Sequence, residues 1–117
     1  MLHKNCSFET RLSGQVLELA LRGEIDHHNA VRVRGDMDEQ IRRHCPRETV
    51  LDLSEIDFMD SSGLGLIMGR YALMQQMGGT LSLKNPNERI VKILELAGFG
   101  RVISIVMDKP CKKEGEQ

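Results

Sequence analysis

The sequence predicts one small α/β domain on a mixed, mostly parallel sheet, in the order β-β-α-β-α-β-α-β. Three observations carry this reading. Stretches with apolar residues at every second position alternate with stretches whose apolar residues recur at helical spacing. The first two strand-like stretches are joined by a tight Ser13-Gly14 turn, the signature of a hairpin. Each later strand is separated from the next by a helical stretch, which calls for parallel pairing through right-handed crossovers.

The elements follow in chain order. Residues 7–12 alternate with Phe8, Thr10 and Leu12 on one face, and residues 15–22 follow with Leu17, Leu19 and Leu21 in phase. After Gly23 the period changes, and Ala30, Val33, Met37 and Ile41 fall at helical spacing. This helix is expected to begin near Asp26 or His27 and to stop before Pro46, because the residue preceding a proline avoids the helical region. Residues 49–53 read as a strand that extends or bends through Ile56 to Met59. Asp60-Ser61-Ser62 offers capping oxygens for a second helix, with Leu64, Ile67, Met68, Tyr71 and Met74 as its apolar stripe and Gly78-Gly79 as its stop. A strand at 80–83 precedes a third helix that starts at Asn85-Pro86-Asn87 and carries Ile90, Ile93, Leu94 and Ala97. Gly98-Phe99 suits a Schellman stop, residues 101–107 read as the last strand, and residues 109–117 as a polar tail after a single domain over 1–108.

Composition excludes several function classes. Sixteen Lys and Arg against seventeen Asp and Glu give a net charge of −1, without the basic excess of a nucleic-acid binder. Aromatic content is 3% with no Trp, which leaves no base-stacking surface. No apolar run approaches the ~18 residues of a membrane span, and the start lacks an apolar signal region. Cys6, Cys45 and Cys111 are odd in number and far apart, so neither a disulfide framework nor a structural zinc site is expected. The expectation is a cytoplasmic protein.

In open α/β sheets function collects beyond the carboxyl ends of the parallel strands. Three loops are therefore expected on one rim: Gly23 to His28, Asp57 to Gly63, and Lys84 to Asn87. The second is the most unusual, because glycine inside a helix costs about 1 kcal/mol relative to alanine. Gly63 and Gly65 either let the helix start pack closely or leave bare backbone for another molecule to approach, and both readings stay open. Ser61 and Ser62 are ordinary capping residues. A phosphate there would nevertheless bring about −1.5 to −2 charges. The helix start would attract it, whereas Asp60, Asp57 and Asp26 would repel it.

Catalytic alternatives fit poorly. The run Gly63 to Gly69 has Met68 where a dinucleotide fingerprint needs its third small residue, and Leu83 and Lys84 stand where an acidic ribose ligand is expected. A P-loop is absent. Met59-Asp60-Ser61-Ser62-Gly63 lacks the first glycine of a nucleophile elbow, which disfavours a hydrolase using Ser61, His27, His28 and Asp26. Adjacent residues on a helix point about 100° apart, so His27 and His28 make poor metal co-ligands.

Gly23 to Ala30 and Phe58 to Gly65, with Gly69-Arg70-Tyr71 and Leu96-Ala97-Gly98-Phe99, resemble the anti-sigma factor antagonists of the STAS domain family, sporulation type. The resemblance covers nearly the whole chain. It implies a protein switch in the sigma-F pathway of spore-forming bacteria. The unphosphorylated antagonist binds an anti-sigma factor that is also a serine kinase of the GHKL ATPase type. The kinase then phosphorylates the serine after the motif aspartate, which here is Ser61, and a PP2C-type phosphatase resets it. The implied docking residues are Glu24, Asp26, His27, Asp60, Ser62, Gly63, Leu64 and Gly65. The antagonist is a substrate rather than an enzyme, with no cofactor of its own, no direct nucleic-acid partner and no membrane partner. The alternative is a STAS binding module of a stress-response or other partner-switching pathway.

Overall fold

The computed structural model describes residues 6–107. Five strands form one sheet in sequence order: β1 (Cys6–Ser13), β2 (Val16–Ile25), β3 (Glu48–Met59), β4 (Thr80–Lys84) and β5 (Ser104–Val106). β1 pairs antiparallel with β2 through the expected hairpin, and every later neighbour is parallel. The helices α1 (Ala30–His44), α2 (Ser61–Gln76) and α3 (Glu88–Leu96) connect β2 to β3, β3 to β4 and β4 to β5. Because each crossover steps to the adjacent strand in the same direction, right-handed connections put all three helices on one face.

The burial pattern agrees with that one-sided layering. Leu17, Leu19 and Leu21 of β2, Leu51 and Leu53 of β3, and Leu81 and Leu83 of β4 are buried, together with Val33, Met37 and Ile41 of α1. The opposite face carries charge. Glu18 lies 3.5 Å from both Arg11 and Lys84, and Arg22 lies 3.8 Å from Glu9. Arg22 and Glu9 are exposed and their pair contributes little to stability, while Glu18 and Lys84 are half-buried; opposite charges on facing strands favour this register.

Several boundaries depart from expectation. β2 runs on past Gly23, whose φ of 102° lies at a bulge in the β2–β3 register, and ends at Ile25. α1 starts at Ala30 rather than near Asp26, because Asp26 and Asn29 bind the local backbone instead. Asp26 Oδ1 accepts from the His28 and Asn29 amides at 2.9 and 3.1 Å, and Asn29 Oδ1 accepts from the Asp26 amide at 3.1 Å. The buried stripe of α2 is Gly63, Leu66, Ile67, Arg70, Leu73 and Met74, so Met68 of the expected stripe faces solvent. Ala97 is exposed at the end of α3, and residues 99–101 form a 3-10 turn before a last strand of three residues. Thr10 and Leu12 are exposed because α1 covers only the Cys6 end of β1, where Arg32 Nη2 donates to the Cys6 carbonyl at 2.9 Å. The expected domain limit at 108 and the tail over 109–117 lie outside the described residues.

The stops of the helices hold as expected. α2 ends at Gln76 with Met77 as its cap, and Gly78 just beyond takes the left-handed φ of 79° that a side chain would resist. α1 ends at His44, with Cys45, the residue before Pro46, as its cap.

Burial pushes the Cys6 thiol up from its ordinary 9.0 to about 11, the Arg32 charge pulling part of the way back and Asp26 adding to the rise. Above pH ~9 the unfolded thiol gives up a proton that the folded one keeps, so stability falls as pH rises towards 11. We expect a loss on the order of 1 kcal/mol between pH 9 and pH 10. Urea unfolding would measure it, and Cys6→Ala should remove that part of the slope.

Candidate functional site

β2 and β3 end level with each other, Glu24 opposite Phe58 and Ile25 opposite Met59, so their following loops emerge side by side. The Asp60 amide donates to the Ile25 carbonyl at 3.2 Å and ties the loops together. Asn29 Nδ2 donates to the Glu24 carbonyl at 2.8 Å and holds the first loop from below. The third loop does not share this rim. β4 ends at Lys84, opposite Asp52, well short of Met59. Asn87 instead reaches the overhanging part of β3, donating to the Ile56 carbonyl at 3.2 Å while capping α3 through the Ile90 amide at 2.9 Å.

Asp60 caps α2. Its Oδ1 accepts from the Ser62 amide at 2.8 Å, and its carbonyl accepts from the Gly63 amide at 2.9 Å. That leaves Ser61 as the first residue of the helix, exposed, while Ser62 is half-buried. On the adjoining loop after β2, Glu24 and Asp26 are half-buried, and His27 is exposed with its ring 5.5 Å from that of His28. The two joined loops therefore carry the exposed Ser61 hydroxyl at the head of α2 together with the acidic residues Glu24, Asp26 and Asp60. Among the described residues no group of His, Cys, Asp and Glu could hold a metal ion. No helix there is long and apolar enough to cross a membrane.

The two glycines now separate. A Cβ at Gly63 would strike the buried Met59 side chain, so Gly63 is there to let α2 seat on β3. At Gly65 a Cβ would meet nothing within 4 Å, and the residue is exposed. Packing explains the first glycine and leaves the second as bare surface. Leu64, between them, is half-buried against the core. Gly63→Ala should cost about 1–3 kcal/mol by overpacking. Gly65→Ala should leave stability unchanged or raised by up to ~1 kcal/mol, since helix propensity improves. Thermal melts of the two variants measure the difference.

Two features escaped the sequence reading. Arg70, in the buried phase of α2, is 5% exposed and places Nε 2.8 Å from Asp38 Oδ1 on α1. That N–H points off the oxygen, so charge holds the pair. The Arg70 Nη2 contact to Asp38 Oδ2, at 3.5 Å, has hydrogen-bond alignment, and Nη1 donates to the Leu66 carbonyl at 3.3 Å. Burial pulls the Arg70 pKa down, and Asp38 pushes it back up against the repulsion of Arg34 and Arg42. The second is a groove of about 230 Å³ between α1 and α2, lined by Ala30, Val31, Arg34, Ser62, Gly65 and Leu66. A polar residue in the core phase of α2 was the available signal for the first. Nothing in the spacing of α1 pointed to the second.

The STAS domain family matches residues 7–113. An anti-sigma F factor antagonist of Paenibacillus polymyxa is 40% identical over 101 residues, covering 86% of each chain. The unphosphorylated anti-sigma factor antagonist SpoIIAA superposes with a TM-score of 0.76 at 25% identity, covering 89% of this chain and 90% of that one. The phosphorylated form of Bacillus SpoIIAA superposes at 0.70, also at 25% identity, covering 89% and 93%.

Proposed function

The chain belongs to the STAS domain family, among its anti-sigma factor antagonists, and on that premise we propose a docking switch in which Ser61 is the phosphoacceptor. The unphosphorylated chain binds an anti-sigma factor that is also a serine kinase of the GHKL ATPase type, which frees the sporulation sigma factor. That kinase transfers phosphate from ATP to the Ser61 hydroxyl, and a PP2C-type phosphatase removes it. ATP and magnesium belong to the kinase. The chain is the substrate, is not an enzyme, takes no cofactor, and acts in the cytoplasm.

The observation that carries this reading is the exposed Ser61 hydroxyl at the start of α2, beside a cap already closed by Asp60. Ser62 is half-buried, its amide committed to that cap, which favours Ser61 over its neighbour. Bare Gly65 lies one turn away and admits close approach of a partner's backbone. Asp60, Ser62, Gly63, Leu64 and Gly65 form the proposed contact surface, with Glu24, Asp26 and His27 as its edge. A phosphate on Ser61 would be tolerated by the helix start yet meet the carboxylates of Asp60 and Asp26, so the fold survives while the surface changes charge. A relative known in a phosphorylated form supports this. The 40% identity to a sigma-F antagonist favours the sporulation branch over a stress-response one.

Incubation with the anti-sigma kinase and ATP, followed by mass-spectrometric mapping, tests the assignment. Phosphate should appear on Ser61. Phosphate confined to Ser62 or to another residue overturns it.

A further inference from the structure

We propose that the groove between α1 and α2 reads an acidic side chain of the anti-sigma partner through Arg34, next to an aliphatic side chain seated against Val31 and Gly65. The inference rests on the docking reading above and names the chemistry of the partner's contact. The groove, about 230 Å³, is smaller than the ~300 Å³ at which small-molecule pockets begin, so it suits side chains of a docked protein. Val31 is 63% exposed although β-branched and apolar, and Gly65 opposite leaves open space. A stiff side chain of this kind loses little freedom when covered.

The charge at Arg34 gives the partner's sign. All three acids of α1 are engaged elsewhere: Asp36 lies 3.8 Å from Arg32, Glu39 3.1 Å from Arg43, and Asp38 2.8 Å from Arg70. Asp38 would be the natural i,i+4 partner of Arg34, but it is turned inward to the buried Arg70. Among the described residues Arg34 has no carboxylate within 4.0 Å. The rim beside it carries the opposite sign, through Glu24, Asp26 and Asp60. The docking surface is therefore bipolar, and a partner must present a basic group to the rim and an acidic one to the groove. Such an arrangement fixes orientation and penalises partners of the wrong pattern.

The test uses the full chain, unphosphorylated, and the anti-sigma kinase of the same organism, with affinity measured by calorimetry at low and moderate salt. Arg34→Gln should weaken binding about tenfold and flatten its salt dependence, and Arg34→Glu should weaken it about a hundredfold. Neither should lower the melting temperature, because Arg34 repels the buried Arg70 and its loss relieves that repulsion. An Asp or Glu of the kinase replaced by Arg should restore affinity for Arg34→Glu. If Arg34→Glu binds within twofold of the parent while Ser61→Asp still weakens binding, the groove proposal is overturned and the docking rim stands. If neither variant changes affinity, both fall.

Discussion

Asp38→Ala is expected to destabilise the domain by about 3 kcal/mol, and Asp38→Asn by nearly as much, because either leaves a buried guanidinium without its counter-charge. Arg70 is almost fully enclosed, and Arg34 and Arg42 already repel it. For a domain of this size the loss corresponds to a fall in melting temperature of roughly 10–20 °C. The asparagine variant keeps the shape, so it separates charge from packing. The double replacement Arg70→Met with Asp38→Leu should recover most of the loss, since apolar residues of similar volume replace buried ion pairs at little cost. Urea unfolding of the three variants decides the matter. An Asp38→Asn melt that matches the parent would show that charge does not hold α1 to α2.

The second large effect belongs to Ser61. Phosphorylation there is expected to lower affinity for the anti-sigma kinase by about a hundredfold, or some 2.7 kcal/mol. Repulsion from the carboxylates around the cap and loss of fit against Gly65 together supply it. Ser61→Asp brings one charge instead of nearly two, so about tenfold is expected. Ser61→Ala should bind within a factor of about three of the parent, since it removes only an exposed hydroxyl. It would then stay bound in the presence of ATP, leaving the sigma factor free. Calorimetry on the four forms measures all of this. A phosphorylated chain that binds as tightly as the unmodified one removes the basis of the switch.

The element order was legible in the sequence because the two periodicities are clean: Leu17, Leu19 and Leu21 at period two, and Val33, Met37 and Ile41 at helical spacing. What could not be read there arose from tertiary context. The start of α1 was displaced by Asp26 and Asn29, whose side chains compete for the same backbone groups that a helix would use. The phase of α2 is right at Leu64, Ile67, Tyr71 and Met74, which are buried or pack against the core, but counting only apolar residues adds the exposed Met68 and misses the buried Arg70. Of the three loops expected on one rim, those after β2 and β3 meet there, whereas the third does not, because β4 stops at Lys84 while β3 runs on to Met59. Which glycine serves packing and which is open surface depends on Met59, a neighbour that spacing alone cannot reveal.

The sequence-order sheet also bears on synthesis. Each strand pairs with one already made, so no segment must wait for a distant one before it can be built on. β2, α1, β3 and α2, which carry Ser61 and the Arg34 groove, lie within residues 16–76, ahead of β4, α3 and β5. The segment that carries the proposed docking surface thus leaves the ribosome before the closing edge and can begin to assemble while that edge is still being translated.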